Sequence, residues 1–94
     1  MSISENVALR VPDHVLSRRV GEETVLLSLS DEHYYGLDGV GTRFWEIVAE
    51  GTTLEKAVDA LLGEYEVERD DLIRDLTALI QDLRTNGLLL VDAT

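Results

Sequence analysis

The chain has no cysteine and a single proline, Pro12, among 94 residues. Without thiols there is no disulfide framework, no thiol nucleophile and no thiolate metal site. The expected compartment is a reducing cytoplasm. Basic residues are also scarce: 8 Lys and Arg stand against 19 Asp and Glu, for a net charge of −11. Such a surface repels nucleic acid and anionic membranes, so neither is an expected partner. No apolar run approaches the ~20 residues needed to cross a bilayer. The opening Met1-Ser2-Ile3-Ser4-Glu5 is polar and acidic, and no export signal is expected in it. There are only two histidines, His14 and His33, and they are not in a metal-ligand spacing such as His-x-x-x-His. Aromatic residues are few. The only Trp, the only Phe and two of the three Tyr fall within residues 33–48.

That stretch divides the chain. Before it the apolar residues tend to alternate with period two; after it they recur with a period near 3.6. Hydrophobic residues make up 45% of the chain, enough for one core and one domain over residues 1–94, with 1–6 and 92–94 as frayed ends. Residues 7–11 read as a lead-in strand or extended arm, broken at Pro12-Asp13. Residues 14–20, 24–30 and 33–37 read as an antiparallel meander with turns at Gly21-Glu22-Glu23 and Ser30-Asp31-Glu32. In the central strand Val25, Leu27 and Leu29 share one face and Leu26 lies on the other, a pattern that suits a middle strand. The two edges differ. Arg18 and Arg19 guard the first, whereas Tyr34-Tyr35-Gly36-Leu37 has no Lys, Arg or Pro to discourage pairing. Such an edge is either covered by another element or used.

Three helices are expected to follow. The first spans residues 40–50, with Phe44, Ile47 and Val48 as its buried stripe, Trp45 widening it, and Gly51 ending it. The second opens on a capping box, Thr52-Thr53-Leu54-Glu55, with Thr52 as the cap, and stops at Gly63. Tyr65 and Val67 are expected to anchor the next loop in the core. The third runs over residues 69–85 and ends at Asn86-Gly87. Its stripe of Leu72, Ile73, Leu76, Leu79, Ile80 and Leu83 is wider than one packing contact needs. It belongs either to the centre of a small bundle or, in part, to a groove beside the sheet. Residues 88–91 return along the core. The expected fold is α+β: a winged helix-turn-helix with a three-stranded antiparallel sheet followed by three helices.

Residue patterns for chemistry are lacking. The acids lie mostly in turns or opposite the apolar stripes, as a solvated face does. The glycines of Gly36-Leu-Asp-Gly39-Val-Gly41 lack both the P-loop ending and the Gly-x-Gly-x-x-Gly spacing, and are expected to permit a sharp turn. No serine stands in a Gly-x-Ser-x-Gly setting. The third helix would be the recognition helix of a DNA-binding protein. Between Glu68 and Arg84 it carries five acids and three arginines, too few cations for phosphate contacts. A non-enzyme without cofactor or metal is expected.

Two blocks, Tyr34-Tyr35-Gly36-Leu37-Asp38 and Phe44-Trp45-Glu46-Ile47, resemble the PqqD-like recognition elements of ribosomal peptide biosynthesis. Val25-Leu-Leu-Ser-Leu29, Gly51-Thr-Thr-Leu-Glu55 and Leu72-Ile-Arg-Asp-Leu76 follow in the family's order. The resemblance implies a domain that binds the leader segment of a precursor peptide as an added strand between the third strand and the third helix. Where members serving pyrroloquinoline quinone synthesis have a Pro-Glu-Gly turn, this chain has Ser30-Asp31-Glu32. It is more similar to the stand-alone recognition proteins of lasso-peptide clusters, which present the precursor to a separate cysteine-protease-type leader peptidase. On this basis the leader pairs with Tyr34, Tyr35, Gly36 and Leu37. Its side chains enter pockets formed by Leu27, one of the two tyrosines, Leu72, Leu76 and Leu79, and its basic residues meet Asp71 or Asp75. A peptide chaperone for quinone-cofactor synthesis and a self-associating winged-helix protein are the alternatives.

Overall fold

The structure, a computed structural model, describes residues 7–92. In chain order the elements are β1 (Ala8–Arg10), β2 (Val15–Val20), β3 (Glu23–Ser28), β4 (His33–Leu37), α1 (Gly39–Ala49), β5 (Thr52–Thr53), α2 (Leu54–Glu64), α3 (Arg69–Thr85) and β6 (Leu90–Asp92). The strands form two antiparallel sheets, ordered β2-β3-β4 and β5-β1-β6. The fold is α+β, but the expected order of strands followed by helices does not hold. β5 lies between α1 and α2, and β6 follows α3. The second sheet joins segments too short to show a period. Ala8 pairs with Thr53 on one side and Asp92 on the other, and Leu9 with Thr52 and Val91. Asp92 is therefore strand, not tail. Of the expected frayed ends, residues 1–6, 93 and 94 lie outside the described residues.

The β2-β3-β4 meander has the expected strands within two residues, and β4 has the expected bounds. Its buried face differs from the expectation. Thr24, Leu26 and Ser28 point inward, while Val25 and Leu27 are half-buried on the other face and Leu29 is 53% exposed beyond the strand end. Both faces of β3 carry apolar residues, so period two alone could not choose between them. Its neighbours decide. The register places Leu26 beside Tyr35 and Thr24 beside Leu37, the two β4 residues packed against or within the core.

Asp38 caps α1 by accepting a hydrogen bond from the Gly41 amide at 3.1 Å. A Cβ on Gly41 would sit 3.3 Å from the Asp38 carboxylate, so this glycine makes room for the cap. Gly36, Gly39 and Gly41 all have ordinary backbone angles, and the sharp turn rests on the cap instead. Phe44, Trp45 and Val48 give α1 its buried stripe. A bidentate pair, Arg43 to Glu64, joins α1 to α2. Thr53, one residue later than expected, caps α2 and accepts from the Lys56 amide at 3.2 Å. Thr52 is instead held in β5, and with Lys56 at the third helical position there is no capping box. Gly63 lies inside α2, which continues to Glu64. α3 has the expected bounds, and Gly87 follows its cap at φ +72°, a conformation that favours glycine.

One core serves both sheets and all three helices, with Leu9, Leu26, Phe44, Leu54, Leu61, Ile80, Leu83 and Leu89 among its fully buried members. The wide stripe of α3 divides between two uses. Leu72, Leu76, Ile80 and Leu83 are buried in this core, whereas Ile73 and Leu79 are only partly covered.

The caps differ in what they should contribute. Thr53→Ala should lower unfolding stability by about 1 kcal/mol, the usual loss of an N-cap side chain, and Thr52→Ala by less, when both are followed by denaturant titration.

Candidate functional site

β4 is the last strand of its sheet and pairs only with β3 among the described residues. Alternate N–H and C=O groups of His33–Leu37 therefore point away from the sheet. Facing this edge is α3, and between them lies a groove of about 1200 Å³. Period two aims Tyr35 and Leu37 into it. The helical period contributes Asp71, Leu72, Asp75, Leu76 and Leu79, and the loop between α2 and α3 adds Glu66, Val67 and Glu68.

Eight of the ten residues expected at a peptide site line this groove: Tyr35, Gly36, Leu37, Asp71, Leu72, Asp75, Leu76 and Leu79. Leu27 and Tyr34 do not. They pair with each other across β3 and β4 on the opposite face, where Tyr34 is 68% exposed. Adjacent residues of a strand point to opposite faces, so only one of the two tyrosines can serve the groove. That residue is Tyr35. Sequence reasoning missed Glu23, Asp38, Val40, Gly41, Glu66, Val67 and Glu68, which come from a strand end, the start of α1 and a loop. Val67, expected in the core, is 45% exposed at the groove. The dense acids of residues 64–71 were the available signal for this rim.

The floor is apolar and the rim is acidic. Glu23, Asp38, Glu66, Glu68, Asp71 and Asp75 line the groove, with no Lys or Arg among the lining residues. Arg74 lies 3.0 Å from Asp71 and 3.9 Å from Asp75 on the same helix. All three side chains are more than half exposed, so these pairs are weak and a cation on a ligand can compete for the acids. At the other end, the Tyr35 hydroxyl donates a hydrogen bond to the Asp82 carboxylate and ties β4 to α3. This bond, then burial, then the charge of Asp82 push the Tyr35 phenol up to about 12. An open strand edge, an apolar floor and an acidic rim together would complement an extended chain that carries apolar and cationic side chains. Of the two histidines, His14 bonds the Gly87 carbonyl at 3.1 Å and His33 is exposed.

The family of coenzyme PQQ synthesis protein D (PqqD) matches residues 23–89, which hold β3, β4, all three helices and every residue lining the groove. Among solved structures, the chain is similar to TbiB1 in complex with the TbiA(beta) leader peptide, at 40% identity and a TM-score of 0.81. The match covers 85% of this chain and 93% of that one. It is also similar to lasso peptide synthetase B1 complexed with the leader peptide, at 28% identity and a TM-score of 0.78. Here 87% of this chain and 96% of that one are covered. No curated protein matches the chain.

A phenol value raised by folding has a definite sign. The neutral phenol is favoured, so the contribution is complete below the unfolded value of about 10 and is lost as pH rises toward the folded value. Ultraviolet titration should therefore show a late tyrosine ionisation near pH 12. Tyr35→Phe should abolish it, and Asp82→Ala should lower it toward the ordinary phenol value of about 10.

Proposed function

The chain belongs to the PqqD family, and we propose that it binds the leader segment of a ribosomally made precursor peptide, in a lasso-peptide pathway, without catalysing a reaction itself. The unpaired edge of β4 facing an apolar, acid-rimmed groove on α3 is the observation that carries this reading. An added strand satisfies the outward N–H and C=O groups of β4 and gains affinity from the backbone. Its alternate side chains enter the groove and give specificity. Leu37, Leu72, Leu76 and Leu79 receive apolar residues, and Asp71 and Asp75 receive a Lys or Arg in exchange for Arg74. The two leader-bound structural neighbours favour a lasso-peptide pathway over quinone-cofactor synthesis. The same reading takes the helices and the β2-β3-β4 meander as a variant winged helix whose strand order β5 and β6 interrupt.

The consequence for the pathway is kinetic. Held on this domain, a precursor reaches a separate leader peptidase as part of a complex and not as a free chain, which raises its effective concentration there. Pairing of two β4 edges in a dimer is the competing use of the same strand. A net charge of −11 on each copy opposes it.

The direct test is fluorescence anisotropy of a labelled leader from a precursor encoded beside this chain's gene. Saturable binding is expected. Failure of the folded domain to bind that leader, together with a concentration-dependent mass, would replace this reading with self-association. Leu76 is 2% exposed and its replacement threatens the core, so Leu79 is the better probe of the groove. Leu79→Asp should weaken binding at least about tenfold with the fold retained, as judged by circular dichroism. Asp75→Lys should weaken it about three- to fivefold, with the gap closing as salt is added. Proline at alternate positions of the bound leader should weaken binding wherever the leader's own N–H pairs with β4.

A further inference from the structure

Two cavities lie along α3, and one side chain separates them. The groove described above ends at Tyr35 and Leu79. A second cavity of about 610 Å³ begins at the same two residues and is bounded by Ala78, Gln81, Asp82 and Thr85. Tyr35 thus stands between them with its ring anchored at both ends, by the β4 backbone and by the bond to Asp82, which is 47 residues away in sequence. Both offer room for a side chain, and the ring between them offers little.

We propose that Tyr35, fixed by Asp82, is a crossbar that sets the register of the bound strand and so determines which leader sequences fit. This rests on strand addition at β4. Along an added strand the groove-facing side chains recur every two residues, about 6.8 Å at 3.4 Å per residue. The residue opposite Tyr35 covers the ring. Its same-face neighbours then fall on either side of the crossbar, one over the leucine floor and the other into the second cavity. A slip of one residue turns every side chain to the wrong face. A slip of two carries a side chain sized for a cavity onto the ring. The site therefore selects a leader with a small residue opposite Tyr35 and larger same-face residues on either side of it. In this role Tyr35 and Asp82 position the ligand jointly, which distinguishes them from two independent contacts.

The test is a tryptophan scan of the leader against the wild-type chain and four variants: Tyr35→Phe, Asp82→Ala, Asp82→Asn and the Tyr35→Phe/Asp82→Ala double variant. Wild type should reject Trp at the position opposite Tyr35 by at least about tenfold, and tolerate it at the same-face positions on either side. In Tyr35→Phe and Asp82→Ala the ring is free to swing, and the penalty should fall below about threefold. Asp82→Asn still accepts the hydroxyl through its amide oxygen and should keep most of the wild-type profile. The double variant should match the single ones, since both break one bond. An unchanged scan in Tyr35→Phe and Asp82→Ala, or additive effects in the double variant, would overturn the crossbar even with leader binding intact. Absence of binding to wild type would instead remove the leader reading itself.

Discussion

Burial of one face of α3 is the constraint on which the groove depends. Leu72, Leu76, Ile80 and Leu83 are at most 4% exposed and hold the helix in the common core. Burying each such side chain is worth about 1.5–3 kcal/mol, far more than any exposed ion pair on this surface. Because the seam fixes the helix, its next face is fixed as well. Leu79 and the carboxylates of Asp71 and Asp75 are presented toward β4 without needing a contact of their own. The sheet side is set in the same way. Leu26 and Leu37 are buried, and Tyr35, between them on the inner face, is carried to the groove by their packing. The cleft is thus the space left between two elements whose positions are decided elsewhere.

This division bears on how an open strand edge is tolerated. An unpaired strand carrying aromatic residues usually invites aggregation. Here the edge borders a rim of six acids on a chain of charge −11, which opposes the approach of a second copy. On the proposed reading the same rim would attract a cationic peptide, with the directional part of recognition left to backbone hydrogen bonds. Asp71 and Asp75 would suit that role because Arg74 satisfies them only loosely, at 3.0 and 3.9 Å on a solvent-exposed face.

The elements with strong local signals could be read from the sequence. β4 is bounded by turn residues and α3 by its period and Gly87, and both have the expected bounds. Their juxtaposition brought eight expected residues to one groove. The failures have physical causes. Apolar residues occupy both faces of β3, so its inner face is decided by Tyr35 and Leu37 on the neighbouring strand. β5 is two threonines long, and only its partners Ala8 and Leu9 make it a strand. Those partners also displace the α2 cap from Thr52 to Thr53. Tyr34 and Tyr35 were equivalent in sequence until a register fixed their faces. Glu23, Asp38 and Val67 reach the groove from a strand end, a helix cap and a loop, whose direction no periodicity reports.

The Tyr35–Asp82 bond is the extreme of this non-local kind. Either residue alone reads as unremarkable: an aromatic on an edge strand, an acid on a helix that has many. Their meaning arises because β4 and α3 are independently fixed by the core at a separation one tyrosine can span. A bond between two rigid walls does little to hold them, since the core already does so. It restricts instead the swing of the Tyr35 ring. On the proposed reading, register selectivity would then be carried by a bond that the core does not depend on, and substitution at Asp82 would alter it with the domain retained.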